Sequence, residues 1–584
     1  MTLIDKTKFE RALEIIAQAE EIAIDCETYW TKSWENKRII GVSIYGEALG
    51  KRFNGYFPFR HEWEEVENLP YDYLERLTEK LNVVPSHTFH NAKFDRQRFV
   101  LEGLRLTSTF FCTMVASHML DENSSHELED LAEHYGIDPD ANKRKQHLHD
   151  LREHIVWHRI PSEVMVPYAC GDTRNTWHLK RKLIPRLEKQ ELMRLWPTEE
   201  SYSDCLMEME TVGIPIDCNK AERLADQCTK RMVAIKKELG FDPAKPLPLA
   251  LKLFKDLKLP IYEIGKPSKQ FPKGRPKMDE GTFIKLAKDV KTPEAKAIMD
   301  LVLEFRGLQK AKSTWYVGWP ELVDSKDRLH PSFQQHGTAT TRLSCNTPNV
   351  QQIPREEELE GEIPLDKQVK KLLTAPKGYE LYELDYNQVE YRLAGVLSGD
   401  PVILDAYRAG KDMHSATAER LGLTRQQAKT TNFLFIYEGG PGRWAEVFGQ
   451  PLDKAKEVYA EYHRVYHVMF KFAARVNATA GQRGYIKLWD GRRRHFRFAF
   501  ETKKAWNSYV QGGAAILIKH GMTRIHKDQT LLSKMVSQVH DSIWCLVPEY
   551  ATHTELKKIA EHLEWPSRDP RFKIDFPVEV KRLV

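Results

Sequence analysis

The 584-residue sequence lacks any pair of cysteines close enough for a C-x-x-C zinc or redox motif; its eight cysteines stand apart at 26, 112, 170, 205, 218, 228, 345 and 545. Scattered thiols of this kind predict a reducing, intracellular compartment. No run of eighteen apolar residues occurs, so no membrane span is expected. The N-terminal MTLIDKTKFERALEIIAQAEE becomes charged too early for the apolar centre of a signal peptide. With 31 Gly and 30 Pro the chain has too little of either for a fibrous or low-complexity protein, and 41% hydrophobic with 29% charged residues excludes general disorder. A large net charge is missing too. Lys plus Arg number 88 against 83 Asp plus Glu, and +5 permits a polyanionic partner without requiring one. No internal repeat is present. At about 150 residues per domain, two to four domains of a soluble, cytoplasmic protein are expected.

Strand and helix signals alternate over the first 190 or so residues. EIAID (21–25) and IIGVSIYG (39–46) read as neighbouring buried strands, and helical periods follow near 75–81, 113–120 and 128–135. This predicts an α/β domain. A helix-rich stretch from 199 to 315 is interrupted by the basic loop GKPSKQFPKGRPK (265–277). After 315 come a strand-like YELYELDY (379–386), a long helical block from 401 to about 482, and closing strands VSQVHDSIWCLV and FKIDFPVEV. The alternation Phe572, Ile574, Phe576, Val578, Val580 has the period of a half-buried strand.

In DCET, Asp25 and Glu27 are two apart at a strand end and so share one face. Nothing nearby in sequence neutralises them, and a buried acid pair without counter-charge is costly. Divalent cations are the usual remedy; D-x-E alone is also compatible with a solvated strand end. FHNAKFD adds Asp95, and YACGD adds Asp172 four residues after Tyr168, which places ring and carboxylate on one helix face. Together these motifs resemble the DEDD-type 3′-5′ proofreading exonucleases with a tyrosine, over residues 15 to 190. The resemblance implies that Asp25, Glu27, Asp95 and Asp172 hold two metal ions about 3.5–4 Å apart. It also implies that Tyr168 orients the attacking water at a single-stranded DNA 3′ end.

A second set begins in the strand-like ELDYNQVEYRLAG, with Asp385 and Glu390, and continues in VHDSIWCLV, with Asp541. Acids in apolar strands are expensive unless paired, and two of them invite a shared metal pair. Edge-strand acids would be the bland alternative. Between them, Arg425, Lys429, Phe433 and Tyr437 recur every fourth residue and form one helical stripe. Two cations and two rings on one face suit a triphosphate and a base.

These segments resemble the motifs of the family A (DNA polymerase I-like) DNA polymerases: DYNQVE as motif A, RQQAKTTNFLFIY as motif B and QVHDS as motif C. Supporting matches fall in the same order at TATTRLSCNTPNVQQIP (338–354), GKDMHSATA (410–418), WDGRRRHF (489–496) and NSYVQGGAAILIK (507–519). The resemblance implies a multidomain α/β and α+β chain. An RNase H-like exonuclease domain (1–195) is followed by a right-hand polymerase with thumb (196–330), palm (331–408 and 508–584) and fingers (409–507). Asp385, Asp541 and the backbone carbonyl of Tyr386 are then expected to bind two Mg²⁺ per site, with Mn²⁺ as an alternative. Lys429, Arg425, His414 and Lys370 would grip the triphosphate of a dNTP, with Gln388 nearby. Phe433 and Tyr437 would bracket base and sugar, and Phe433, where some phage members carry Tyr, implies discrimination against dideoxynucleotides. Glu390 would reject ribonucleotides. Arg342 and Gln511 would meet the minor groove of primer-template DNA, where correct pairs look alike. Asn507, His540, Asn349 and Gln351 would support template and primer, and Lys310 and Lys312 of FRGLQKAKSTW would touch phosphates. PKGRPK resembles an AT-hook core, although a solvated loop is the simpler reading.

The sequence departs from the family at Ser542, where motif C usually has Glu, at Leu434 and Glu438, where Gly is usual, and at Lys503 and Lys370, where Arg is common. Activity is expected to survive Ser542 with an altered metal response. With Asp25 so near the start, no 5′-nuclease domain is expected ahead of it, and the thumb is too short for a large processivity-factor insertion. A compact bacteriophage replicative enzyme, monomeric and leaving room for accessory proteins, is the expectation. Its rivals are a nuclease whose polymerase part only holds DNA, and a structural clamp for primer ends. Residues 1–190 carry 26 Lys and Arg against 31 Asp and Glu, and the rest 62 against 52, so the basic excess lies in the part expected to hold duplex DNA.

Overall fold

A computed structural model describes residues 1–29, 31–48, 50–267, 269, 272, 274–290, 292–354 and 363–584. The chain divides into two compact units. One comprises Met1–Gly213, His330–Gln351 and Lys377–Arg582; the other comprises Ile214–Leu329, Gln352–Pro376 and Leu583–Val584.

In the first unit the N-terminal strands build a six-stranded mixed sheet. Its centre is the strand Glu21–Thr28, antiparallel to Ile39–Ala48 and parallel to Ser86–Phe89. Lys51–Pro58 extends one side and Thr109–Cys112 the other. The expected strands and helices are found here, with helices at Tyr71–Leu81, Thr113–Leu120 and Leu128–His134. In Tyr71–Leu81, Leu74, Leu77 and Leu81 are all fully buried. Spacings of three and four put them on one face, and each contributes roughly 1.5–3 kcal/mol by leaving water. The helix Ser162–Lys189 packs across the sheet with Leu179, Leu183 and Leu187 in the same core.

The same unit holds a four-stranded antiparallel sheet, in the order Lys534–Val539, Ser542–Pro548, Tyr379–Tyr386, Val578–Arg582. Three sequence readings are corrected here. VSQVHDSIWCLV is not one strand but a hairpin, because His540 takes a left-handed φ of 54° and Val539 pairs with Ser542. Glu390 lies on the helix Val389–Ser398, not on a strand, because Gln388 at φ 53° turns the chain after Tyr386. FKIDFPVEV is extended only from Val578. Phe572, Ile574 and Phe576 are buried from turns and irregular backbone, and Val580 is 44% exposed. The long helical block is cut into six helices between Pro401 and Arg483, with breaks at Gly410, Gly422, Gly440 and Gly449.

The second unit is mainly helical. Cys218–Leu239 and Pro293–Ala311 are its long helices, and Ile214–Pro215 pairs with Arg328–Leu329. Its core joins Leu249, Leu253, Phe283, Leu286, Met299 and Val302. Positions 268, 270, 271 and 273 of the basic loop lie outside the described residues, and with them part of the AT-hook-like hexamer. The stem of the loop is closed by Gly265 N–H to the Arg275 carbonyl and by a Lys277–Glu263 ion pair.

Candidate functional site

The first carboxylate centre lies on the mixed sheet. Asp25 and Glu27 leave the central strand on one face, Asp95 comes from the helix Ala92–Leu101, and Tyr168 and Asp172 come from the helix Ser162–Lys189. Asp95 is 1% and Glu27 6% exposed. The Cys26 backbone N–H donates to Asp95 Oδ1 at 3.0 Å, while Asp95 Oδ2 is buried with no hydrogen-bond partner. Tyr168 and Asp172 are neighbours one turn apart on the helix Ser162–Lys189, and burial and the Asp172 charge raise the proton affinity of the Tyr168 hydroxyl.

Burial raises the proton affinity of every member of this set, and neighbouring acids raise it further. Asp25 is pushed up to about 7 by burial and by Glu129, and Glu27 to about 8 by burial and by Asp25. Asp95 and Asp172 are pushed well above the usual carboxylate range by burial and by Asp25. Two members were not legible in the sequence. Glu129, 6% exposed, lies in the first turn of a helix in ELEDL, and Trp157, in a short 3-10 turn, donates its indole N–H to Glu27 Oε2 at 3.2 Å. The Trp157 ring stands edge-on to Tyr168.

The second centre lies at the end of the antiparallel sheet. Asp385 pairs in register with Ser542 on one side and Glu579 on the other. Asp541 sits in the hairpin turn, and its carbonyl accepts from the Tyr386 N–H at 3.5 Å, so the Asp385 and Asp541 backbones are neighbours. Asp385 is exposed and Asp541 half-buried. The Tyr386 ring is buried, its hydroxyl bonded to the Leu563 carbonyl.

The motif B residues lie on the helix Arg425–Ile436, started by a Thr424/Gln427 capping box, with Tyr437 just past its end. Arg425 is exposed, and Lys429, Phe433 and Tyr437 are half-buried. Asp412 accepts from both Arg425 and Gln388, and Gln388 accepts from the Tyr407 hydroxyl. This chain ties the motif A turn to the motif B helix. His414 is buried beside the Phe433 ring and accepts at Nδ1 from the Asn432 amide. Burial, with Arg425 and Lys429 adding to it against Asp412, lowers His414 to about 4 and keeps it neutral.

Other expected contacts separate into four groups. Arg342 is ion-paired with buried Glu390. Asn507 and Gln511 share a face of the helix Ala505–Lys527, where a side chain at Gly512 would stand 3.2 Å from the Thr340 carbonyl. Gln351 donates to Gln538, which donates to the His540 carbonyl, and Asn349 accepts from the Gln351 N–H. Lys310, Lys312 and Lys370 lie in the second unit, where Lys312 is bonded to Thr229 at 2.7 Å.

The family model described as DNA polymerase family A matches residues 218–582, and that described as 3′-5′ exonuclease matches residues 2–188. The chain belongs to DNA polymerase family A. Among its relatives, DNA polymerase I of Synechocystis sp. is 28% identical over 91% of this chain and 57% of its own length. DNA polymerase I of Borreliella burgdorferi is 26% identical over 96% and 61%. The chain thus spans about three-fifths of the length of these curated relatives. In fold it is similar to the POL domain of Pol1 from M. smegmatis, solved in complex with DNA primer-template and dNTP, with a TM-score of 0.79 over 99% of this chain and 98% of that one, at 22% identity.

Against the family pattern, Glu438 keeps a left-handed φ of 58° that Gly would adopt freely. That conformation costs a non-glycine residue about 1–2 kcal/mol. Asn477 donates to the Glu438 carboxylate at 2.8 Å. The family's polymerase and exonuclease domains depend on metal ions, and the acids here fit that requirement. Buried oxygens with raised proton affinity and an orphaned Asp95 Oδ2 are donors for a hard divalent cation. A separate group, Asp121, Glu122 and His495, brings its ligand atoms within 4.8 Å, but Glu122 already accepts from Arg494 at 2.8 Å and from His495.

Proposed function

We propose that the chain is a template-directed DNA polymerase with a 3′-5′ proofreading exonuclease. The observation that carries the polymerase reading is the junction of three motifs: Asp385 next to the Asp541 turn, and Gln388 joined through Asp412 to Arg425 on the cation-and-ring helix. Two Mg²⁺ per site, held by Asp385, Asp541 and the Tyr386 carbonyl, and by Asp25, Glu27, Asp95 and Asp172, fit the oxygen donors. When bound, such ions stabilise the attacking and leaving oxygens of an in-line displacement.

The remaining roles belong to the side chains. Lys429 and Arg425 supply positive charge for the triphosphate, and neutral His414 a directed hydrogen bond. Arg425 exchanges Asp412 for phosphate as the nucleotide arrives. Phe433 and Tyr437 present ring faces to base and sugar. Glu390, held by Arg342, fills the space a ribose 2′-hydroxyl needs. At the first centre Tyr168, one helical turn from Asp172, orients water at the DNA 3′ end. Lys310 and Lys312 serve as thumb contacts to DNA phosphates, and Lys370 as a contact to the triphosphate. The palm comprises 331–408 and 508–584, and the fingers 409–507. Cytoplasmic service in phage genome replication belongs to the same proposal.

Primer extension on a defined template, with each nucleotide supplied singly, tests the reading. The template-matched deoxynucleotide alone should be added. Absence of template dependence would overturn the function, and addition of ribonucleotides at parity would overturn the role of Glu390.

A further inference from the structure

The motif C serine leaves the polymerase centre one carboxylate short, and the sheet register shows where another stands. Along the strand Tyr379–Tyr386, Glu383 and Asp385 are two apart and share a face. Asp385 faces Ser542 and Glu383 faces Trp544 on the next strand. The Glu383 side chain leans diagonally: its Oε1 accepts from the Ser542 hydroxyl at 3.1 Å and from the Trp544 indole N–H at 3.1 Å. Ser542 also donates to the Val539 carbonyl at 2.9 Å.

A serine offers no negative charge. A glutamate at 542 would extend beyond the hydroxyl into the space beside Asp385 that the Glu383 carboxylate now borders. Two carboxylates sharing that space would repel each other, so an acid at 383 and an acid at 542 are alternatives. Fully buried Trp544 holds the Glu383 carboxylate through its indole N–H, and Lys581 lies opposite Glu383 on the other neighbouring strand.

We propose that Glu383 is the third carboxylate of the polymerase centre, supplied from the motif A strand in exchange for the motif C acid that Ser542 replaces. The inference rests on the polymerase reading above. It assigns Glu383 a place beside the metal ions, holding one of them or the water bound to it, and it makes Ser542 and Trp544 the donors that aim it. The plain alternative is a structural cross-strand pair between Glu383 and Lys581.

The test uses the full chain carrying Asp25→Ala and Glu27→Ala, so that the first centre is silent, bound to a dideoxy-terminated primer-template and the matching deoxynucleotide. Mn²⁺ binding is followed by electron paramagnetic resonance, and the metal dependence of single-nucleotide extension is measured alongside on an extendable primer. Glu383→Gln, which keeps the size and an acceptor oxygen, should weaken Mn²⁺ binding by about 10-fold or more and raise the metal needed for half-maximal extension likewise. Glu383→Ser should do the same, and Glu383→Ser combined with Ser542→Glu should return both quantities to within about threefold of the parent, as coupled positions do. Unchanged Mn²⁺ affinity in Glu383→Gln, with or without a lowered melting temperature, would overturn the proposal. So would an exchange variant no better than Glu383→Ser. Asp385→Ala separates the two levels: if it leaves Mn²⁺ binding and extension intact the polymerase reading itself fails, whereas loss there with an inert Glu383→Gln sinks only the exchange.

Discussion

The two carboxylate centres share one chain and are built in opposite ways. Around Asp25 the acids are enclosed, repel one another, and meet no cation strong enough to offset burial, so their proton affinities rise. Around Asp385 the acids stand at an open sheet end, with a cation-bearing helix tied to the motif A turn. A third buried acid shows what a paired one looks like. Glu199, 1% exposed, is bonded by Lys519 at 2.8 Å and by Arg492 at 2.5 Å. Despite burial, those two cations hold it well below the usual carboxylate range. Enclosure alone therefore does not decide the charge state; the partner does. Among the described residues, Asp25, Glu27, Asp95 and Asp172 have no such ion-pair partner and suit a supplied divalent ion, whereas the open centre is suited to completion by substrate and ions together.

The largest effect should come from chelation. Removing divalent cations with EDTA should stop both primer extension and single-strand digestion, and digestion persisting without metal would break the parallel between the centres. Next in size is Glu199→Gln, which leaves buried Lys519 without its carboxylate and Arg492 with only Asp490, and should destabilise by about 3–5 kcal/mol in denaturant unfolding. A neutral result there would remove the contrast between paired and unpaired buried acids. Lys429→Ala should cost about 1.5–3 kcal/mol of nucleotide binding, roughly a 10- to 100-fold rise in the dNTP concentration for half-maximal extension. Digestion of single strands should not change.

Stability should also depend on pH. Between the ordinary carboxylate pKa near 4 and the raised values of about 7 and about 8 at Asp25 and Glu27, the folded metal-free protein binds more protons than the unfolded chain. Its stability should therefore be highest at the acid end of that window and fall as pH rises through it. Added Mg²⁺ should raise the melting temperature more at about pH 8 than at about pH 5. A metal-free protein that gains stability over that window would contradict the enclosed-acid picture.

Much of this was legible in the sequence because the motifs are local. Asp25 with Glu27, Tyr168 with Asp172, and the Arg425 stripe each occupy one strand or helix, so spacing alone fixes their faces. Glu129 and Trp157 were not legible, since they reach the first centre from a different helix and a three-residue turn. The alternation at 572–580 misled because buried side chains at every second position also arise from turns packed on the core. Glu383 carries a local signal, two residues before Asp385, but its meaning depends on the cross-strand neighbour Ser542, which only the register supplies.

The most direct test of two independent centres is to measure both activities in two variants under one condition. Asp385→Ala should lower extension by more than the roughly 10- to 100-fold that even an outer-sphere metal partner costs, with single-strand digestion retained. Asp25→Ala with Glu27→Ala should do the reverse. Loss of both activities in either variant would contradict the account.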